Sequence, residues 1–468
     1  MICAEALTAE QRAVSQKNYN WFNIVNGLSY MCLGETVLIL LAVQIGCKDY
    51  QVAALGAMMY LGFLLLPWGR VRTAKVGAAK SQADFWVARN VAALLVASAA
   101  PLNEYVSPKL AVGALLLGAF MFYGFRAAGV VMSQPLIGAI TTDVDRGALL
   151  AKSGGYFYAS CFAALIAISV VLGINEGLWM LVGIIIAGSA LGCTASRFLA
   201  KIDETEAIRT SARRPIKDEL RRAATNKSLR QQLFSGFAIN IAIIMLVPVS
   251  MLALKKGYGV SDTRAMFFAL GQFGASAGMS FITGMISRKI GPRKLMLWGY
   301  VVLLSLGLYW QVVPEKAGFC AALLVPVFLL AGGVIVSLNN SNVHYFLQTI
   351  PEDERVTSSM FLSVFTGVGA GLSGMLLSGG ILKLCAWWRP DPDALLDCYR
   401  LYFLLAAVVL LPGLWLIYRL TPLAEEKRDI KEHHLDYQVG NRVNFVRNSE
   451  RILARNRKKE ENTDSIKY

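Results

Sequence analysis

Residues 284–294 read Gly-Met-Ile-Ser-Arg-Lys-Ile-Gly-Pro-Arg-Lys, a basic, glycine-bracketed stretch between apolar runs at about 263–287 and 293–313. A bilayer core about 30 Å thick needs roughly 20 apolar residues of helix to cross it. Each run is long enough, so the basic stretch is a tight turn at a membrane surface. Lipid offers the backbone no hydrogen-bond partner, and the crossing segments must therefore be helical.

Extending the reading along the 468 residues gives twelve such spans, at about 22–45, 50–69, 84–101, 109–133, 151–173, 177–199, 232–254, 263–287, 293–313, 318–348, 356–384 and 399–420. Asp84, Arg89 and Asn90 interrupt span 3, and span 10 ends in polar turns from Asn339 to Gln348. Apolar residues make up 55% of the chain and charged residues only 16%, against about 25% charge in soluble domains. The mean hydropathy is +0.49. These values exclude an ordinary soluble enzyme and a disordered chain, and the continuous apolar runs argue against a membrane β-barrel, whose strands alternate.

The net charge of +15 is a topology signal. Alternate loops hold 21 Lys and Arg, including Arg70, Arg146, Arg213, Arg214, Arg288 and Arg355, whereas the intervening loops hold 9. Basic residues stay on the cytoplasmic side, so both termini and the central loop are expected there, in a plasma or bacterial inner membrane. Lys255 and Lys316 are expected outside, and nucleic-acid binding is not expected. The layout is a cytoplasmic N-terminus (1–21), a six-helix bundle (22–199), a basic linker (200–231), a second bundle (232–421) and a charged tail (422–468). Within the linker, 215–232 reads as a basic helix on the anionic membrane face.

The two halves echo one another. Lys75-Val76-Gly77 precedes span 3 and Lys289-Ile290-Gly291 precedes span 9, an offset of 214 that Asn26 and Asn240 share. Asp145-Arg146 and Glu354-Arg355 follow spans 4 and 10 at an offset of 209. Internal repeats around a midplane site mark secondary transporters.

With these motifs the chain resembles the major facilitator superfamily over roughly 18–421. The family's loop signature is Gly, three residues, Asp, a basic residue, one residue, Gly, then basic residues. Gly284 to Lys294 keeps that spacing with Arg288 in the Asp place; Gly69 to Lys80 is one residue too long and has Ala74 there. Arg126-Ala-Ala-Gly129, Pro135 and Asp145-Arg146-Gly147 resemble the family's span 4 and its following loop. The resemblance implies an all-α membrane protein of twelve helices in two six-helix bundles, with spans 1, 4, 7 and 10 innermost. The Gly-Pro motif of many drug antiporters in span 5 is absent.

An ionisable group inside a span is expensive and is a functional hypothesis by default. Glu35 in span 1 and Arg126 in span 4 qualify. They are expected to face each other across a central cavity, as a proton-coupling pair, a static salt bridge or a substrate contact. Asn339, Asn340, Asn342 and His344 form polar faces on span 10, and Asn23, Asn26, Asn240 and Gln272 add amides on spans 1, 7 and 8. Each amide is a candidate ligand contact or helix glue. Tyr123, Phe157 and Tyr158 could stack on a ligand. Gly77, Gly284, Arg288 and Gly291 are the candidate gating-loop residues. There is no Walker loop, no catalytic cluster, no C-x-x-C and no expected metal or cofactor; Cys385 and Cys398 could pair. The expectation is a secondary transporter of a small polar organic solute, with a proton as coupling ion if any, a lipid environment and a monomer as default. The alternative is a non-transporting sensor or assembly partner on the same fold.

Overall fold

The computed structural model describes residues 2–3, 5–48, 51, 55, 58–59, 61–175, 177–215, 221, 225–260, 262–314, 317–388 and 395–422. Much of span 2, Lys316 and the tail beyond 422 lie outside the described residues, as do the side chains of Glu35, Lys255 and Arg288.

Span 1 begins at Ala9, where Thr8 and Gln11 cap the helix reciprocally: Gln11 N donates to Thr8 Oγ1 at 3.3 Å and Thr8 N to Gln11 Oε1 at 2.9 Å. The helix stops at Cys32, and Glu35–Gln44 restarts it after Gly34. Span 3 is Ala78–Ala97 continued by Ala99–Tyr105, and span 4 is Pro108–Val130 continued by Ser133–Ile140. Spans 5, 6 and 7 are Arg146–Ile174, Leu178–Leu199 and Lys227–Leu252. Span 10 is Ala317–Thr349, span 11 runs from Arg355 to Trp388 through a π-helical turn at Val364–Gly369, and span 12 is Leu395–Tyr418. Nine segments among the described residues are long and apolar enough to cross a membrane. Helices Leu66–Val76, Asp262–Ile290 and Pro292–Tyr309 supply spans 2, 8 and 9. Several helices start before their apolar runs, span 3 at 78 instead of 84 and span 5 at 146 instead of 151. Hydropathy registers only the lipid-facing turns, whereas the hydrogen-bonded helix continues past them.

The repeat has a backbone counterpart. Gly77 alone joins spans 2 and 3 with φ 90°, and Gly291 alone joins spans 8 and 9 with φ 83°. Side-chain-bearing residues rarely adopt that conformation, which explains a glycine at both places. Arg146 and Arg355 likewise fold back on the preceding span, Arg146 Nε donating to Thr141 Oγ1 at 3.3 Å and Arg355 to the Leu347 and Ile350 carbonyls at 3.0 and 3.2 Å.

Each bundle has its own core, one from Leu33 to Ile185 and the other from Ile239 to Leu420. Two further clusters mix the halves, one joining Leu136, Ile137 and Ile140 to Phe346, Leu347 and Leu362, the other joining Val131 and Met132 to Val356 and Met360. Both lie at the end of the molecule that carries the linker. A Cβ on Gly284 would lie 2.3 Å from Ala151 Cβ, so spans 8 and 5 nearly touch there, and Ser359 Oγ donates to the Val131 carbonyl at 3.1 Å. The halves are therefore sealed together at the linker end; no core cluster of described residues joins them at the opposite end. Large apolar side chains such as Leu376, Val170 and Leu64 are exposed around the outside, as lipid-facing residues must be; Trp387 and Trp388 are exposed at the end of span 11, and Trp21 midway along the helix Ala9–Cys32.

Of the linker helix expected at 215–232, most of 216–224 lies outside the described residues. The linker's described helix is Glu206–Arg213. Ahead of it, Glu204–Thr205 pairs in parallel with Ile2–Cys3, a two-stranded sheet in an otherwise helical chain. The segment bridges both halves. Arg70 donates to the Ala212 and Arg214 carbonyls and Arg213 Nε to the Ala74 carbonyl, while Arg214 pairs with Asp353 at 2.7 Å and Thr205 Oγ1 donates to Glu352. Cys385 and Cys398 are both buried and are not joined by a disulfide.

A candidate solute cavity between the bundles

Four spans position the centre of the site. Arg126 lies eighteen residues into the helix that opens at Pro108, about 27 Å along it at 1.5 Å per residue. Its guanidinium sits over the Tyr30 ring of span 1 at 5.1 Å. Arg126 and Val130 are in the walls of two adjoining lobes. The larger, about 350 Å³, lies between the bundles and is walled by Phe63, Tyr123, Asn240, Ile244, Thr366 and Gly367 from spans 2, 4, 7 and 11. The smaller, about 180 Å³, is walled by Asn23, Asn26, Tyr30, Trp86, Arg89 and Phe157.

The residues expected from sequence divide between these walls and the helix contacts. Asn26 lines the smaller lobe, its Oδ1 accepting from Trp86 Nε1 at 2.9 Å. Asn240 lines the larger one and donates to the Gly236 carbonyl of its own helix at 2.8 Å. The span 10 amides meet neighbouring helices. Asn340 Nδ2 approaches Ser280 Oγ of span 8 at 3.4 Å, and Gln232 of span 7 donates to the Asn342 carbonyl and Oδ1 at 3.0 and 3.3 Å. Asn339 is exposed. Gln272 packs its backbone and stem against Gly332, and His344 Nδ1 meets Ser287 Oγ at 3.2 Å. Tyr123 and Phe157 line the lobes, while Tyr158 packs between Phe157 and Phe273. Glu35 opens the second segment of span 1, five residues or about 8 Å of helix beyond Tyr30. Its side chain is outside the described residues, so the expected contact with Arg126 is not described.

Two residues outside the sequence expectation matter most. Arg89, treated there only as an interruption of span 3, is 1% exposed between the faces of Trp86 and Phe122, at 4.7 and 5.1 Å, and its Nε and Nη2 have no hydrogen-bond partner. The rule that singled out Arg126, a charge inside a span, would have found it. Among the described residues no carboxylate pairs with Arg89 or Arg126 or lines either lobe. An uncompensated buried charge costs several kcal/mol, and the described part of the wall carries two positive charges and no negative one.

The second is Glu204. Its carboxylate accepts from Ala78 N at 2.6 Å and Ala79 N at 3.1 Å, capping span 3 where Gly77 has no side chain to do so. Burial pushes its pKa above the usual 4.5, against the pull of those two N–H groups. In the loop between spans 4 and 5, burial would raise Asp145, but hydrogen bonds from Thr142 and Gln16 more than offset it and hold the pKa below 3.8.

Residues 233–457 match the family model of the Major Facilitator Superfamily. The fold agrees over nearly the whole chain. The proton:xylose symporter XylE, bound to 6-bromo-6-deoxy-D-glucose, superposes with a TM-score of 0.65 at 13% identity, over 91% of this chain and 100% of that one.

Residues 233–457 thus carry the likeness to the major facilitator superfamily in sequence, and the rest of the chain shares its fold.

FucP in the outward conformation gives 0.61 at 13% identity over 84% of this chain and 97% of that one. A bacterial homologue of the iron transporter ferroportin in the outward-facing state gives 0.61 at 14% over 85% and 98%. At these identities the likeness is one of fold. No curated protein sequence matches the chain. With nine segments among the described residues long and apolar enough to cross a bilayer, the chain has the architecture of a multi-pass membrane protein.

Proposed function

We propose that the chain is a secondary transporter that moves a small polar organic solute across the plasma or bacterial inner membrane by alternating access. The observation that carries this is a cavity of about 350 Å³ walled by both bundles, with Arg126 and Asn240 on opposite sides of the division. A void of that size suits a small solute. A site shared between two bundles whose joint core clusters, among the described residues, lie at the linker end is what rocking bundles need: closing the far end while opening the linker end would expose the same residues to the other side. With the termini and linker in the cytoplasm, as the basic-residue count implies, the state described faces outward.

Coupling to protons through Glu35 belongs to the same proposal, with Gly77, Gly284, Arg288 and Gly291 at the turns that move and Asn26, Asn240, Gln272, Asn339, Asn340 and Asn342 as polar contacts in one or another state. The test is uptake by proteoliposomes under an imposed pH gradient. Glu35→Gln should abolish accumulation against a gradient yet retain exchange down one. Unchanged pH-driven uptake in that variant removes the coupling role, and no exchange by the wild type with any solute favours the sensor or assembly alternative.

A further inference from the structure

We infer that the solute is an organic oxyanion, gripped by Arg89 and Arg126; the inference rests on the transport reading above. Both arginines wall the same lobe, of about 180 Å³, and no carboxylate of the described residues stands beside them. Buried arginines elsewhere in this chain show what a structural cation does. Arg70, 3% exposed, donates to two linker carbonyls, and Arg355 donates to the end of span 10. Arg89 is buried as deeply and does neither.

The unpartnered atoms of Arg89 are Nε and Nη2, both closed to a water-sized molecule in the state described. These two nitrogens form one edge of the guanidinium, with N–H bonds that run parallel and fit the two oxygens of a carboxylate or phosphate. Trp86 and Phe122 lie against the guanidinium faces. They hold the cation in place but offer no acceptor in its plane, so the packing fixes the fork without filling it. Arg126, partly exposed to both lobes and steadied over Tyr30, supplies a second charge. The rest of the wall is aromatic and amide, from Tyr30, Phe157 and Asn23, which suits a small organic body better than a bare inorganic ion. With a neutral solute, the two cations would have no counter-charge among the described residues of the wall.

The test is thermal stability of the purified full-length protein at constant sodium chloride, with three millimolar pools. One holds lactate, succinate and gluconate; the second glycerol 3-phosphate and glucose 6-phosphate; the third the uncharged lactamide, succinamide, glycerol and glucose. A carboxylate or phosphate pool should raise the apparent melting temperature and the uncharged pool should not, because binding to the native state stabilises it. The responding pool identifies the oxyanion. Arg126→Gln and Arg89→Gln should each weaken the response by about tenfold or more in ligand concentration, and Arg126→Lys should retain part of it as a point charge without the fork. A response from the uncharged pool alone overturns the anion assignment and leaves the transport reading intact. No response from any pool, together with exchange of uncharged solutes by proteoliposomes, does the same; no response and no exchange overturns both. Should either glutamine variant fail to fold, the comparison of acids with their amides on the wild type decides by itself.

Discussion

Replacing Glu204 with Ala takes both acceptor oxygens away from the first turn of span 3. The carboxylate is 2% exposed and receives Ala78 N and Ala79 N at 2.6 and 3.1 Å. Water does not reach the site to replace it, and Gly77 at the cap position cannot. An unpaired buried donor costs roughly 1–3 kcal/mol, and two are at stake. The burial that raises the pKa of Glu204 is a penalty the variant escapes, which offsets part of that loss. The net expectation is about 2 kcal/mol at neutral pH. For a folding unit of 150–250 residues that corresponds to a fall in melting temperature of roughly 4–8 °C. The assay is tryptophan fluorescence against temperature on detergent-purified protein. Glu204→Gln keeps one acceptor oxygen and should lose about half as much. Melting of Glu204→Ala within about 1 °C of wild type would refute the reasoning, by showing that the burial penalty cancels both hydrogen bonds.

The same residue sets a pH dependence. The folded pKa of Glu204 lies above 4.5, so its contribution is complete below 4.5 and is lost as pH rises through the folded value, and Glu204→Gln should flatten melting curves across that window. Asp145 runs the other way: its folded pKa lies below 3.8, its contribution is complete above 3.8 and is lost as pH falls through the folded value, and melting of Asp145→Asn under acid conditions checks it. Gly284→Val would place a Cβ 2.3 Å from Ala151 Cβ and should disfavour the linker-closed state by about 1–3 kcal/mol, read as reduced cross-linking between cysteines substituted at Val131 and Ser359. A cysteine at Lys255 should label from outside intact cells and one at Arg213 only after permeabilisation; the reverse pattern would overturn the orientation.

What could be read in the sequence follows from what lipid enforces. Continuous apolar runs locate the helices because backbone hydrogen bonds have no alternative inside a bilayer, and Lys75-Val76-Gly77 and Lys289-Ile290-Gly291 announce two glycine joints because few other residues adopt a φ near 90°. Arg126 stood out as a charge among apolar neighbours and does line the cavity. The interruptions of spans 1, 4 and 11 were hidden, since Leu33-Gly34, Val131-Met132 and Val364–Gly369 are as apolar as their surroundings. Arg89 is as legible as Arg126, but with Asp84 and Asn90 beside it the segment reads as an interruption of span 3. Nor does spacing along span 10 reveal that Asn340 and Asn342 face helices 8 and 7. That depends on how two bundles meet, which no local pattern encodes. Glu204 is 126 residues from Ala78, and its capping role exists only once the linker has folded back.

The linker turns out to be a fastener rather than a tether. Residues 215–226 lie between its last anchor at Arg214 and the start of span 7 at Lys227, and twelve residues can reach roughly 40 Å when drawn out. Chain length therefore places no limit on how far the bundles separate at this face. Beside the apolar clusters of the seam, the segment adds a few bonds across it, among them the partly exposed pair Arg214–Asp353, which dissolved salt weakens. The rate at which the molecule reverses its access should then respond to the ionic strength of the compartment the linker faces, while the affinity of the buried cavity stays insulated from it.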